Sequence, residues 1–505
     1  MRIQRPTKAT LFYVAVALFA TLPAWTVKYP PMMDTPFHLA TIRVIHSLHD
    51  PDFGFDKDFV LTLGRTQYVL YYLLGSALTY VVGVAKANAI LVSLYLGGTV
   101  LALRALLRAL RKDERLCLFV VPLLVNVLFM YGLFPFLLGI PTMFWALATA
   151  IYYFEKPTLS RGALLTTLAL ALFYSHVFPF CLFGIGFAVM FPWASPSRWL
   201  RAALPLGPAL ATLAWWTAAT EAGRLTLGAL VDQRRDPHKR IDEAIADVHK
   251  WFIEIFRDRS DDAVFIALGI VVVVTVALGQ GDRDRSKPTA RAYGLLPVAC
   301  VLFYFTTPDS HDYISIISQR FPIMFAMTAL PLLHMPRGIR GGVVTAAAFA
   351  LSVFSVVNVC VHFRQFERDE VGDFDGALAA MEPQRRVCAL MFDRDSRVTD
   401  LSPFLHFGSY YQVQKGGVVE FTYAGYAHWP IDFRPGAYPP PGGPARHYWE
   451  WHPEDVSVER EIYPYYDYVL TRGEGFHPPP GTYHVKWQSA PWAVWERDGE
   501  RGGAR

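Results

Sequence analysis

The sequence predicts a polytopic α-helical membrane protein carrying a small soluble α/β domain at its C-terminal end. Three observations predict it. Of the 505 residues, 53% are hydrophobic and only 18% are charged, whereas a soluble domain carries about 25% charged residues. Several apolar runs approach the ~20 residues that cross a bilayer. From about Arg364 onward charge rises, prolines cluster, and short β-type runs replace the long apolar ones.

The first apolar run, about Leu11 to Val27, follows the basic leader MRIQRPTK. It has no small-x-small cleavage site, so it reads as a retained first span. The leader then stays in the cytoplasm and the chain emerges on the far side at Lys28. Residues 28–67 form a first outer loop, with an amphipathic helix after Thr35 and an acidic run, DPDFGFDKDF, from Asp50.

Both Tyr68–Val84 and Asn88–Leu110 are apolar. If both crossed, the segment holding Arg104, Arg108, Arg111, Lys112 and Arg115 would fall outside, against the positive-inside bias. A Tyr68–Val84 helix that lies at the outer leaflet without crossing puts that segment inside. Spans then follow at roughly Leu116–Met130, Phe134–Phe154, Ala163–Val177, Phe180–Trp193, Leu204–Thr220, Ala263–Leu278, Tyr293–Phe305, Phe321–Leu333 and Val343–Val361. The later inner turns carry Lys156 and Arg161, Arg198 and Arg201, GDRDRSKPTAR, and Arg337 and Arg340. All obey one orientation, with about eleven spans, the N-terminus inside and the C-terminus outside.

Residues 221–262 read as a long charged outer loop with QRRDPHKRIDE at its centre, followed by the amphipathic IADVHKWFIEIF on the membrane surface. The chain thus divides into a membrane domain, 1–363, and an outer α/β domain, 364–505. The β-type runs of the latter are RVCALMF, GVVEFTY, DYVLTRG, TYHVKW and WAVWERD, parted by turns such as YPPPGGP and HPPPG. FDGALAAM and the stretch around Phe404 read as short helices.

Five cysteines (Cys117, Cys181, Cys300, Cys360 and Cys388) show no motif spacing, so neither a disulfide framework nor a zinc site is implied. His46 and His49 with Asp50 read as an exposed helix end. DPDFGFDKD lacks a calcium loop's spacing and closing glutamate. There is no dinucleotide fingerprint, P-loop or serine-nucleophile elbow, and nothing points to nucleic acid.

The chemistry-bearing stretch is MMDTPFHLATIRVIHSL. Thr35-Pro36 reads as a helix start, a capping hydroxyl followed by a proline where no backbone N–H is needed. Asp34 then stands at the helix N-terminus and His38 one turn inside, where the dipole favours a carboxylate or a phosphate. This topology brings four features to the outer surface. They are Asp34 with His38, the Tyr174-Ser175-His176 end of a span, the basic loop with Arg234, Arg235, Lys239 and Arg240, and the HDYISIISQR loop ending at Arg320. Ionisable groups converging at a membrane boundary are functional candidates. Each also has a plain structural reading: Asp34 as a helix cap, His38 on a surface, His176 bonded to a carbonyl, Arg320 as a lipid anchor, the basic loop as a solvated one.

The chain resembles the GT-C superfamily, membrane glycosyltransferases that use polyprenyl-phosphate-linked sugars. It looks most like bacterial members related to the protein O-mannosyltransferases and the lipid A aminoarabinose transferases. The matching pieces are MMDTPFHLA after the first span, the apolar helix YVLYYLLGSALTYVVG, the span closing on LALRALLRALRKDE, Arg320-Phe321-Pro322 entering a late span, and an outer C-terminal domain. Members often carry a paired acid in the first loop. Here the next acids, Asp50 to Asp58, are distant, so the base role rests on Asp34 alone.

The resemblance implies transfer of a sugar from a polyprenyl-phosphate donor to a hydroxyl acceptor (lipid, glycan or protein), with inversion, at the outer face of a bacterial inner membrane. Asp34 would be the general base. Arg320 foremost, then Arg234, Arg235, Lys239 and Arg240, would hold the donor phosphate. His38 and His176 would orient acceptor or phosphate, and the Tyr68–Val84 helix would line the groove for the lipid tail. A divalent-metal cofactor is left open and no metal ligand is assigned. Two other classes fit the spans: a transporter or flippase of a lipid-linked sugar, and a non-catalytic scaffold of envelope assembly. The first calls for ionisable residues near the bilayer midplane, which most span centres here lack. The second would use aromatic runs such as HYWEWHPED, which equally suit a small core.

Overall fold

The computed structural model describes residues 7–231, 241–279, 292–311, 314–439 and 448–499. The chain packs as two units. The first comprises Met1–Thr26, Ala89–Phe129 and Leu133–Val361; the second comprises Val27–Asn88, Met130–Gly132 and His362–Arg505.

The first unit is built of apolar helices. Among the described residues of the chain, four helices are long and apolar enough to cross a membrane: Val84–Ala109, Phe134–Glu155, Ser260–Leu278 and Gly338–Val371. Five more apolar helices, Lys8–Ala20, Leu70–Val82, Leu159–Ser175, Val177–Met190 and Leu295–Thr306, are shorter. The Phe134–Glu155 helix is the unit's inner one, with 89% of its apolar stretch buried. Ser260–Leu278 buries only 22% of its stretch and exposes Ile266, Ile270, Val273 and Val276. A helix with its aliphatic side chains outward is stable only against lipid or protein. The chain is accordingly an integral membrane protein.

The expected Leu116–Met130 span is among those that take another form. It is broken into a 3-10 stretch, Glu114–Val120, and two short helices, Val121–Leu124 and Val127–Tyr131. Pro122 sits at the start of the first short helix, and Val125 is extended. Asn126 then takes up the freed backbone groups. Its amide donates to the Leu123 carbonyl, and its oxygen accepts from Leu128 and Phe129. An Asn side chain that mimics backbone in this way ends one helix and starts the next. The IADVHKWFIEIF stretch is likewise a short helix, Ile241–Asp247, and a 3-10 turn, Val248–Trp251, with Glu254 at φ +66°. Part of the basic segment is paired locally: Arg104 meets Glu114 at 2.6 Å and Arg115 meets Asp113 at 2.6 Å.

The second unit joins the early loop to the C-terminal segment. The expected β runs are strands of one five-stranded sheet, in the order Val418–Val419, Arg386–Met391, Tyr468–Arg472, Trp492–Arg497, Tyr483–Ser489. The first two pairings are parallel and the last two antiparallel. One sheet face closes over Cys388, Leu390, Ile462, Tyr466, Val469, Phe476 and Tyr483. The expected FDGALAAM helix is Phe374–Ala380. Phe59–Leu61 adds an antiparallel pairing with Ile431–Phe433. Arg43 donates to the Val413 carbonyl at 3.0 Å, and Trp429 donates to Thr41 at 2.9 Å.

The helix Thr35–Ser47 is therefore buried along most of its length rather than lying half-exposed. Leu70–Val82 crosses it closely enough that a Cβ on Gly75 would meet Ile42. That helix buries Tyr71, Tyr72, Gly75, Ser76 and Thr79 and leaves Leu73, Leu74 and Val81 exposed.

Candidate active site

Asp34 is the N-cap residue of the Thr35–Ser47 helix, yet its side chain makes no capping bond. The expected cap, Thr35, lies instead inside the helix, its hydroxyl buried without a hydrogen-bond partner. The helix start is fixed from the backbone. Met33 N–H donates to the Met130 carbonyl at 2.9 Å and Asp34 N–H to the Tyr131 carbonyl at 3.0 Å. Gly132, at φ +86°, follows that pairing, and a Cβ there would sit 3.3 Å from the Cβ and N of Asp34. The Asp34 carboxylate is thereby buried and relieved of capping.

It faces a histidine. His406 Nδ1 lies 3.1 Å from Asp34 Oδ1, an ion-pair separation off the line of a good hydrogen bond. On the other side of the ring, Nε2 contacts Glu450 Oε1. Phe37 stacks on the imidazole with centroids 3.9 Å apart. Burial works against a charge on His406, but Glu450, and Asp34 with it, outweigh that and push the ring up to about 9. His38, on the same helix as Phe37, behaves oppositely. Its Nδ1 is 2.9 Å from the Tyr72 hydroxyl, and burial, opposed by Asp34, pulls it down to about 4. The same surroundings thus push the two histidines in opposite directions, His406 towards its charged form and His38 towards its neutral one. Behind His406, Leu405, Gly408, Ser409, Glu420 and Glu450 line a small cavity. Burial pushes the Glu420 carboxyl up to about 8, although the Ala389 N–H donates to it at 2.8 Å.

His176 and Arg320 form a second cluster, inside the first unit. His176 joins the helices Leu159–Ser175 and Val177–Met190, and its Nδ1 accepts from the Phe178 N–H at 3.1 Å. Its Nε2 contacts Nη1 of Arg320. The Arg320 guanidinium lies between the rings of Phe136 and Phe178, 5.3 Å from each centroid, and its Nε donates to the Ile316 carbonyl at 2.6 Å. Ile316 stands at φ +58°, a strained conformation for a β-branched residue. Arg320 is thus a buried, braced cation, not a side chain reaching out to lipid. Arg234, Arg235, Lys239 and Arg240 lie outside the described residues.

No protein-family model and no curated protein sequence matches the chain. A solved structure does: ArnT from Cupriavidus metallidurans, a crystal structure bound to undecaprenyl phosphate. It is similar with a TM-score of 0.54 over 99% of this chain and 100% of that one, at 11% identity. The chain has a GT-C-like fold. At that identity the likeness concerns the fold, and the side chains must be argued on their own.

Sequence reasoning singled out Asp34, His38, His176 and Arg320 as candidates and did not single out His406, Glu450 or Glu420. The structure brings Asp34 and His38 together in one unit and His176 and Arg320 together in the other. His406 stands in LHFGS and Glu450 in HYWEWHPED. No spacing ties either to Asp34; the first stretch reads as a short helix and the second as an aromatic run suited to a partner or to a small core. A histidine among aromatic residues was the one signal available, and it is common.

Proposed function

We propose that the chain is a GT-C type glycosyltransferase, moving a sugar from a polyprenyl-phosphate donor to an acceptor hydroxyl at the outer face of the membrane, with inversion. One observation carries this reading: in a fold shared with a protein crystallised on undecaprenyl phosphate, Asp34 is a buried helix-start carboxylate that does not cap its helix. A carboxylate so placed is available to take a proton.

In the proposed reaction the acceptor oxygen attacks the anomeric carbon from the face opposite the phosphate. Its proton passes to Asp34. The bond from the anomeric carbon to the phosphate oxygen breaks, and the polyprenyl phosphate leaves with the electron pair. General-base assistance of this kind contributes about 10²–10⁴-fold. Arg320, braced by His176, is proposed for the donor phosphate on the chemistry of that pair alone: a planar cation matches phosphate oxygens. His38, being neutral, is proposed to hold Tyr72 rather than to carry charge.

The test uses the full chain in nanodiscs and a panel of radiolabelled undecaprenyl-phosphate sugars, scored by release of undecaprenyl phosphate in the presence of envelope acceptors. Asp34→Asn should slow transfer at least 100-fold while binding undecaprenyl phosphate within twofold of the parent. Arg320→Gln should weaken that binding about tenfold. Near-normal transfer by Asp34→Asn would remove Asp34 from the mechanism. Movement of the intact donor between leaflets, independent of Asp34, would favour a flippase.

A further inference from the structure

We propose that His406 is the counter-charge of the base: an imidazolium set between two carboxylates, hydrogen-bonded to Glu450 and in ion-pair range of Asp34, standing where a divalent cation would otherwise neutralise Asp34. This rests on the reading of Asp34 as base and names what holds that base ready.

The argument starts from proton counting. A neutral imidazole has one N–H and one lone pair. Here both nitrogens face carboxylates, Asp34 Oδ1 on Nδ1 and Glu450 Oε1 on Nε2. A neutral ring would turn its lone pair on one of them. The doubly protonated ring points an N–H at each side, bonded to Glu450 and within ion-pair range of Asp34. Bulk solvent screens the group little, because the His406 side chain is 2% exposed, that of Asp34 9% and that of Glu450 11%. Phe37 stacked on the ring fixes its plane.

The other titratable groups around the ring agree with a single positive charge. Asp34 and His38 come from the Thr35–Ser47 helix, Glu420 and Tyr423 from the segment after the Val418–Val419 strand, and Glu450 from the turn at Tyr448–Glu450. His38 and Tyr423 are neutral at pH 7, and burial keeps Glu420 largely protonated. Asp34 and Glu450 are the two carboxyl groups that face the ring nitrogens directly.

A divalent ion fits this arrangement poorly. One Asp34 oxygen is already turned to the ring, and in the proposed charge state that ring has no lone pair to offer a metal. Among the described residues no group of three or more His, Cys, Asp or Glu side chains is arranged to hold a metal. Ca²⁺ and Mg²⁺ need about six oxygen ligands.

In this account His406 touches neither donor nor acceptor and acts only through Asp34, as a positioning residue. The first test reads its charge without any turnover. The full chain, labelled with ¹⁵N-histidine and held in nanodiscs, is titrated from pH 6 to 10. One histidine should remain doubly protonated past pH 8. It should be absent in His406→Gln, and its midpoint should fall by at least one pH unit in Glu450→Gln. A His406 that is singly protonated at pH 7 overturns the proposal, whatever Asp34 does. The second test reads transfer. His406→Gln should lower kcat at least tenfold with KM within twofold, and the acid limb of its pH profile should move to higher pH, since Asp34 has lost its cation. Treating the parent with EDTA should leave transfer within twofold. A tenfold loss restored by Mg²⁺ or Mn²⁺ overturns the proposal while leaving Asp34 as the base.

Discussion

Glu420 shows how a single buried carboxyl ties this unit to pH. In the unfolded chain it ionises at about 4.5 and in the folded protein at about 8. Between those values the unfolded state has released a proton that the folded state still holds. Stability therefore falls as pH rises through that window and is fully recovered below it. At pH 7.5 the cost is on the order of 4 kcal/mol, from roughly three pH units at about 1.4 kcal/mol each. Glu420→Gln keeps an acceptor for the Ala389 N–H and removes the titration. Its thermal midpoint, measured on the full chain, should exceed the parent's at pH 7.5 and match it near pH 4.5. An equal gain at both pH values would mean the carboxyl is not held protonated. His38 has the opposite sign. Its proton affinity is depressed in the fold, so the stability it lends is lost as pH falls from about 6.5 towards 4. His38→Gln should flatten that acid limb. At this scale Asp34 was legible because a helix start has a local signature. His406 and Glu450 were not, because their meaning lies in which carboxylate they face, and only the packed chain decides that.

At the scale of elements, the strands of the C-terminal segment were legible because alternating β-branched and aromatic runs between proline and glycine turns have few other uses. The Leu116–Met130 break was not. Its composition is that of a span, and a single Asn126 carbonyl-and-amide pair does the interrupting. The pairing of Met33–Asp34 with Met130–Tyr131 was invisible for the same reason, since backbone bonds leave no residue signature. Gly132 is where that pairing can be tested. Alanine there meets a strained φ, costing about 1–2 kcal/mol, and also presses its Cβ on Asp34. Gly338, at φ +61° with open space around it, supplies the control. Gly132→Ala and Gly338→Ala should lower the thermal midpoint comparably, while only Gly132→Ala should lower kcat, by tenfold or more. Equal kcat in the two variants would show that the glycine serves the turn and not the carboxylate.

For the whole molecule, orientation in the membrane is the property that the fold leaves to charge. The apolar faces of Ser260–Leu278 and Gly338–Phe366 call for lipid but do not say which end is inside. The distribution of lysine and arginine does, because basic turns resist crossing while long acidic loops cross freely. Lys156 and Arg161 flank one such turn, and Asp50, Asp52, Asp56 and Asp58 mark the acidic early loop. We therefore expect the turn near Ser160 to be cytoplasmic and the loop near Asp52 to be outside. Both positions are exposed. Single cysteines at Ser160 and Asp52, in a chain whose five native cysteines are replaced, separate the cases. In intact cells a membrane-impermeant maleimide should label the Asp52→Cys chain and spare the Ser160→Cys chain until the membrane is opened. The reverse pattern would put Asp34, 18 residues before Asp52 in the sequence, on the cytoplasmic side. An outward-facing transfer from a lipid-linked donor would then have no base on its side of the membrane.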